Sequence, residues 1–577
     1  MKYTDSRLMM VLAGLGWLAL SASAFAANQT TPGAVTLSST FECISVRAAF
    51  SGDDNANNSA GIQFRRAGTT TWLNAYTPAI DRRTSVNGND NSANAFQARG
   101  SIVGLTPNAS YEIQVTWTDA DGITGSAAST ASVSTLSYNP PAPGTTRYVD
   151  ASAGSEGSGT SSSPFKTITN AIAQSNAGDT IIVRAGSYPS FTISKSGTAS
   201  AYFVLKANPG DTVTIQATSS SCLTIDANYW RIIGFRFAPA VESSMVVAAS
   251  RHHIYIEDTV STDISTGNVW GSGGVSTRSN VNNIYILRNT FTRTTPGIDN
   301  VDGVFIEGAG THTLVIADNT ITGSFWDAIG NGVNSLINTM ENSDFCRNTL
   351  TGFQDDSIEM DGGSVNLRVY GNTGRSSSFS LLSEAGTMVG PSYIFRNTFV
   401  NTKGDGSGLK QGHNGIGPCF IFHNLFQTAG AGSNEAIGQA GGTAYSENHV
   451  FRNNIIVATG NAYYKEGRSN SYDYNVLYSG TYTLVSAWNG SGTYDTLASF
   501  RSGTGQEMHA INADPLLNTD KTLRSGSPAI DKGVTLPNFN DANSAWPSSG
   551  TAPDIGAFEV GGSVTQMSAP TNLRVVP

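Results

Sequence analysis

The 577-residue chain reads as all-β, a parallel β-helix preceded by a β-sandwich, and three observations carry that reading. Charged residues make up only 13% of the chain, while glycine fills 62 positions; ordinary soluble domains are about one-quarter charged. Coiled coils and helical bundles need far more Glu, Lys, Ala and Leu than that. A short apolar strand ending in Asn-Thr-apolar recurs every 22 to 31 residues over more than 200 residues. Strand-like units at such a period are the mark of stacked coils, because one coil cannot bury its inward side chains alone. Ahead of the repeat, Ile44, Val46, Ala48 and Phe50 alternate with period two between closely spaced turns, the pattern of a sandwich.

The elements follow in order. Residues 1–26 carry Lys2 and Arg7, the apolar run Leu8 to Leu20 and then Ala24-Phe25-Ala26, the layout of a cleaved signal peptide. The expected location is therefore extracellular or periplasmic, and no later segment is apolar enough to insert in a membrane. The sandwich is expected over 32–137, and Pro140 to Gly144 mark a semi-rigid linker over 138–146. The β-helix is expected over 147–560 and a tail over 561–577. Phe165, Ile168 and Ile172 are spaced for one short amphipathic helix that caps the open end of the stack.

The repeat appears at Asn289, Asn319, Asn348, Asn372, Asn397, Asn424, Asn453 and Asn475, with Asp258-Thr259-Val260 before the first. An asparagine at the same bend of every coil can hydrogen-bond its neighbours' backbones up the stack. Cys43, Cys222, Cys346 and Cys419 form no CxxC or CxxH cluster; the last three read as buried small hydrophobes, with a disulfide left open. A net charge of −10 excludes a general nucleic-acid or anionic-membrane surface.

Chemistry is expected on the strand after each Asn-Thr bend and loop. Those strands stack by inspection as Asp302 to Phe305, Asp327 to Gly330, Asp356 to Glu359, Phe379 to Leu382, Ser407 to Lys410 and Glu435 to Gly438. Their third column, Val304, Ile329, Ile358, Leu381, Leu409 and Ile437, is apolar and must point inward, so the fourth column points out. That places Glu359 and Lys410 on one outer face two coils apart, about 10 Å. Asp302, Asp327 and Asp356 form a column at the bend, with carboxylates about 5 Å apart. Unit charges at that spacing repel by on the order of 3 kcal/mol when partly buried, so the column either retains protons, bonds to backbone amides or binds a cation. Several hard oxygen ligands suit Ca²⁺.

The stretch Leu105-Thr106-Pro107-Asn108-Ala109-Ser110-Tyr111-Glu112-Ile113-Gln114-Val115 resembles the tyrosine corner of fibronectin type III domains, with Tyr111 at the corner. Tyr148-Val149-Asp150, Ser163 to Ile168 and Gly178 to Tyr188 resemble the entry coils of the pectate-lyase-like superfamily. Ser527 to Asp531 and Pro553 to Phe558 resemble its close. The resemblance implies a right-handed β-helix. Asp355-Asp356-x-x-Glu359, with Asp327 one coil earlier, is similar to the calcium site of the pectate lyases whose base is a lysine. Carried over, it implies that Asp327, Asp355, Asp356 and Glu359 bind Ca²⁺ and that Lys410 is the base. The last acid is Glu instead of Asp, and Lys410 lies one coil further on than in that family. His413, Glu384, Tyr464 and Lys465 are the expected substrate contacts.

The expected activity is that of a polysaccharide lyase: calcium-assisted β-elimination on an acidic, uronate-containing polysaccharide by a monomeric enzyme. Three further readings stay open. Asn300-Val301-Asp302 and Asp355-Asp356 also look like polygalacturonase motifs, in which two carboxylates hydrolyse the glycosidic bond. A uronate epimerase or a non-catalytic adhesin would use the same scaffold.

Overall fold

The computed structural model describes residues 28–562, apart from 297–300, 309, 333–338, 363–364, 385–387, 403–405, 412–416, 429–434, 440–446, 468 and 480–482. The signal segment and His413 therefore lie outside the described residues. Strands between Thr31 and Ser134 form two four-stranded antiparallel sheets, packed around Val46, Phe64, Ile113, Val115 and Trp117. The Tyr111 hydroxyl accepts a hydrogen bond from the backbone N–H of Thr106 at 2.9 Å, the contact of a tyrosine corner.

The rest is a parallel β-solenoid with three faces. One face is a 13-stranded sheet from Thr146–Val149 to Ser471–Asp473, and the next is a 12-stranded sheet from Gly186–Tyr188 to Val476–Ser479. The third face is split into two six-stranded sheets, the first ending at Ile329–Asn331 and the second starting at Ser380–Glu384. Between them, the coil around Asp356 makes only single bridges, Ile329 to Ile358, Asp356 to Ser380 and Glu359 to Ser383. The interior is one continuous apolar column running from Val149 to Ala510. Helix α1, Ile168–Gln174, closes its first end, with the Thr167 side chain accepting from Asn170 N–H and Ile168, Ala171 and Ile172 buried.

The asparagine ladder forms. From Asn289 to Asn454, each side-chain amide and each backbone N–H donates to the Oδ1 of the next asparagine at 2.8–3.0 Å. Two positions fall one residue from where the repeat places them. Thr259 opens the ladder, bonding Asn289 through its N–H and hydroxyl. Asn454, not Asn453, is its seventh asparagine; Asn453 instead holds the C-terminal segment through Val534. With two adjacent asparagines the motif alone could not choose. Geometry chooses, because the residue preceding each ladder member is left-handed, with φ from 54° to 65° at Asp258, Arg288, Asp318, Arg347, Gly371, Arg396, His423, Asn453 and Tyr474. Such a backbone is disfavoured for side-chain-bearing residues, and the buried amide bonds that it aims offset the cost.

The sandwich lies against the outer side of the 13-stranded face. Phe41, Cys43 and Val103 pack among Tyr255, Tyr285, Tyr370, Tyr393 and Phe395, together with Leu536 and Phe539 of the C-terminal segment. Arg347 bridges Glu42 at 2.7 Å and Asp318 at 2.9 Å, and the Arg368 guanidinium reaches Asp344, Ser45 and Ser101. All four cysteines are free and buried. Among the described residues no helix is long and apolar enough to cross a membrane.

Candidate metal centre and catalytic cluster

Asp327, Asp355, Asp356 and Glu359 converge where the third face is interrupted, each offering an oxygen within 4.8 Å of the others. Two columns build the cluster. Asp302, Asp327 and Asp356 stack in register, and each lends an oxygen to the scaffold. Asp302 Oδ1 accepts from Asp327 N–H at 3.2 Å, Asp327 Oδ1 from Asp356 N–H at 2.7 Å, and Asp356 Oδ1 from the Ser380 hydroxyl at 2.6 Å. Asp302 and Asp327 thus each cap a backbone amide of the next coil, as one opening of the sequence reading has it. The second column runs Gly330, Glu359, Ser383, Lys410. Gly330 is required there, since a Cβ would lie 2.1 Å from Asp302 Oδ2.

The column is buried: Asp302, Asp327 and Asp356 are at most 1% exposed. Burial pushes the Asp327 carboxyl well above the usual carboxylate range, and Glu359, Asp302 and Asp356 add to the shift. Burial does the same to Glu359, reinforced by Asp361 and Asp356 and opposed by Lys410. Packed carboxylates of this kind demand protons or a cation, and an all-oxygen donor set fits a hard one.

The Lys410 ammonium pairs directly with Asp356 Oδ2. Burial works against its charge, but Asp356 and then Asp361 outweigh burial and raise its pKa. A lysine that is to act as a base must be neutral, whereas in the structure the acidic partners hold Lys410 charged. Nζ also lies 5.9 Å from the ring of Phe379, which is 57% exposed beside the cluster. Trp270, 52% exposed, stands on the same face, edge-on to Phe305 at 5.4 Å, and Phe305 pairs with Gly330.

One part of the stacking by inspection is corrected. Asp356 pairs with Ser380 and Leu382 with Leu409, so Leu382 occupies the inward column and Phe379 lies one position before the aspartate column. The Leu381-Leu382 pair hides the alternation, and a one-residue slip turns every side chain to the opposite face. Glu384 is accordingly inside, 1% exposed, with Oε1 2.6 Å from His449 Nε2, rather than on the outer face as a sugar contact. Tyr464 pairs with Gly438, which pairs with Lys410, so it sits two coils beyond Lys410 in the expected column. Lys465 Nζ covers the Tyr464 ring at 5.3 Å. The sequence reading missed Ser380, Ser383 and Asn331, which brace the acids: Ser383 Oγ donates to Asp361 Oδ1 at 3.0 Å and Asn331 N–H to Glu359 Oε2 at 3.3 Å. It also missed the exposed rings of Phe379 and Trp270. Exposure of a lone aromatic leaves no trace in the repeat.

The fold and cluster together define a right-handed parallel β-helix with a carboxylate-lined centre on one face. Residues 147–326 match the family model of the Pel9A-like right-handed β-helix region. No curated protein matches significantly in sequence. Among solved structures, the pectate lyase Pel9A is similar at 16% identity and a TM-score of 0.41, over 73% of this chain and 97% of that one. A rhamnogalacturonan lyase is similar at 14% identity and a TM-score of 0.35, over 54% of this chain and 82% of that one. An alginate lyase from Paenibacillus sp. str. FPU-7 is similar at 15% identity and a TM-score of 0.35, over 53% of this chain and 99% of that one.

Proposed function

We propose that this chain is an exported polysaccharide lyase that cleaves a uronate-containing polymer by β-elimination, with Ca²⁺ as its cofactor and an acidic polysaccharide as its partner. The observation that carries the reading is the convergence of Asp327, Asp355, Asp356 and Glu359 within 4.8 Å, with the Lys410 amine in contact with the same group. The Pel9A-like match over 147–326 supports it, and the pattern of residues 1–26 supports export.

Those four residues would hold the ion, which when bound supplies Lewis-acid polarisation of the substrate carboxylate and so acidifies the proton at C5. Lys410 takes that proton in its neutral form, so its pair with Asp356 opens in the working enzyme. The C5–H electrons form the C4–C5 double bond as the C4–O bond breaks, and the leaving oxygen takes a proton from solvent water, Lys410 returning the C5 proton to solvent afterwards. Phe379 offers an apolar ring on which a sugar face can stack. Tyr464 and Lys465 lie further along the same column for a more distant sugar.

The test is incubation with a panel of uronate-rich polymers while ultraviolet absorbance is followed, with and without a calcium chelator. An unsaturated uronate should appear, and the chelator should abolish it. Lys410→Ala should lose at least a hundredfold in rate while still binding Ca²⁺ by calorimetry, and Asp356→Asn should lose both. Reducing ends without the absorbance would mean hydrolysis, and full activity of Lys410→Ala would remove it as the base.

A further inference from the structure

Behind the wall that carries Ser383 and Lys410 lies a second cluster with a different donor chemistry. Glu384, the last residue of Ser380–Glu384, turns inward toward Cys419 and His449, which are directly paired on adjacent coils. All three are at most 1% exposed, and their donor atoms lie within 4.8 Å of one another. His449 Nδ1 is 2.8 Å from the Glu447 carbonyl, so that nitrogen carries the hydrogen and Nε2 faces the cluster. A backbone carbonyl on the far nitrogen is how metal-bound histidines are oriented. The other Glu384 oxygen, Oε2, is buried without a hydrogen bond of ordinary geometry, and the Cys419 thiol lies against the same carboxylate, where burial and that carboxylate keep it protonated.

We propose that Glu384, Cys419 and His449 form a second metal site, selective for a thiophilic divalent cation of the Zn²⁺ class and distinct from the all-oxygen cluster. One sulfur, one imidazole nitrogen and a chelating carboxylate make a four-donor set of the kind zinc takes, and Oε2 then has a partner. Charge agrees: thiolate and carboxylate cancel a divalent cation beside a neutral imidazole, so the buried site is neutral overall. Binding releases the thiol proton and the proton shared between Nε2 and Oε1. Those two atoms separate from 2.6 Å to about 3.3 Å, the edge of a tetrahedron with zinc-length bonds. By tying one strand of the third face to two strands of the 13-stranded face, the ion would brace the wall from which Lys410 projects. The inference does not rest on the lyase reading.

The test uses the full-length protein. It is loaded with Zn²⁺, freed of excess and of calcium with a calcium-selective chelator, and its metal content is measured. Wild type should retain one equivalent of zinc; Cys419→Ala and His449→Gln should retain none, and Cys222→Ala, a buried cysteine elsewhere, should retain one. Substitution with Co²⁺ should give wild type a thiolate-to-cobalt charge-transfer band, which needs no variant to fold. Absence of that band in wild type, or equal zinc retention by wild type and Cys419→Ala, would overturn the proposal and leave a hydrogen-bonded pair beside a thiol.

Discussion

Glu507 shows what one residue does at the end of a repeat. Its Oε1 accepts from the last ladder side chain, Asn475, at 2.8 Å and from the Tyr463 hydroxyl at 2.6 Å. Burial pushes its carboxyl up to about 7 from an ordinary 4.5, against those hydrogen bonds, which pull it down. A raised carboxyl means that the native state holds its proton more tightly than the unfolded chain does. Its contribution to stability is therefore complete below about pH 4.5 and is lost as the pH rises to about 7. Relative to Glu507→Gln, wild type should lose on the order of 3 kcal/mol across that window, measured by urea unfolding at several pH values. Nothing in the sequence marked Glu507, because it lies outside the Asn-Thr repeat and its role depends on where helix α2, Leu497–Thr504, delivers the chain. The acids of the candidate centre were legible for the opposite reason: their spacing equals the coil length, so stacking could be counted.

At the scale of the element, the ladder and the left-handed corner are one device, and the sequence exposes only half of it. Asn-Thr-apolar repeats are visible, whereas the residue before each asparagine is Asp, Arg, Gly, His, Asn or Tyr and shares nothing but its backbone angle. Several of them pair along the stack, as Arg288 does with Asp258 and Arg347 with Asp318. Replacing a middle rung should be severe. Asn397→Ala removes donors to Val369 O and Asn424 Oδ1 and the acceptor for both N–H groups of Asn372. A loss of about 3 kcal/mol is expected, read as a lower urea midpoint with an unchanged slope. The Leu381-Leu382 slip teaches the complementary lesson. Period-two reasoning fails where both faces are apolar, and a register error then moves a residue such as Glu384 from solvent to core.

For the whole molecule, the sandwich is part of the solenoid's core economy. An aromatic outer face on the 13-stranded sheet needs a cover, and the sandwich and C-terminal segment supply it. Arg347→Met should cost about 3–5 kcal/mol by stranding buried Glu42, with the sandwich and solenoid losing stability together in one fluorescence-monitored transition. The sequence suggested a sandwich joined by a proline linker; it could not show the docking, since the partners lie hundreds of positions apart. That separation has a consequence for how the chain is made. Thr40 waits for Asp344 across 304 positions, and Val103 waits for Asn538 across 435. During synthesis the sandwich therefore carries a bare adhesive flank until the segment around Asn538 has followed it. A growing chain released early would expose that flank to its neighbours, so the segment around Leu536 to Phe539 acts as the latch on the assembly.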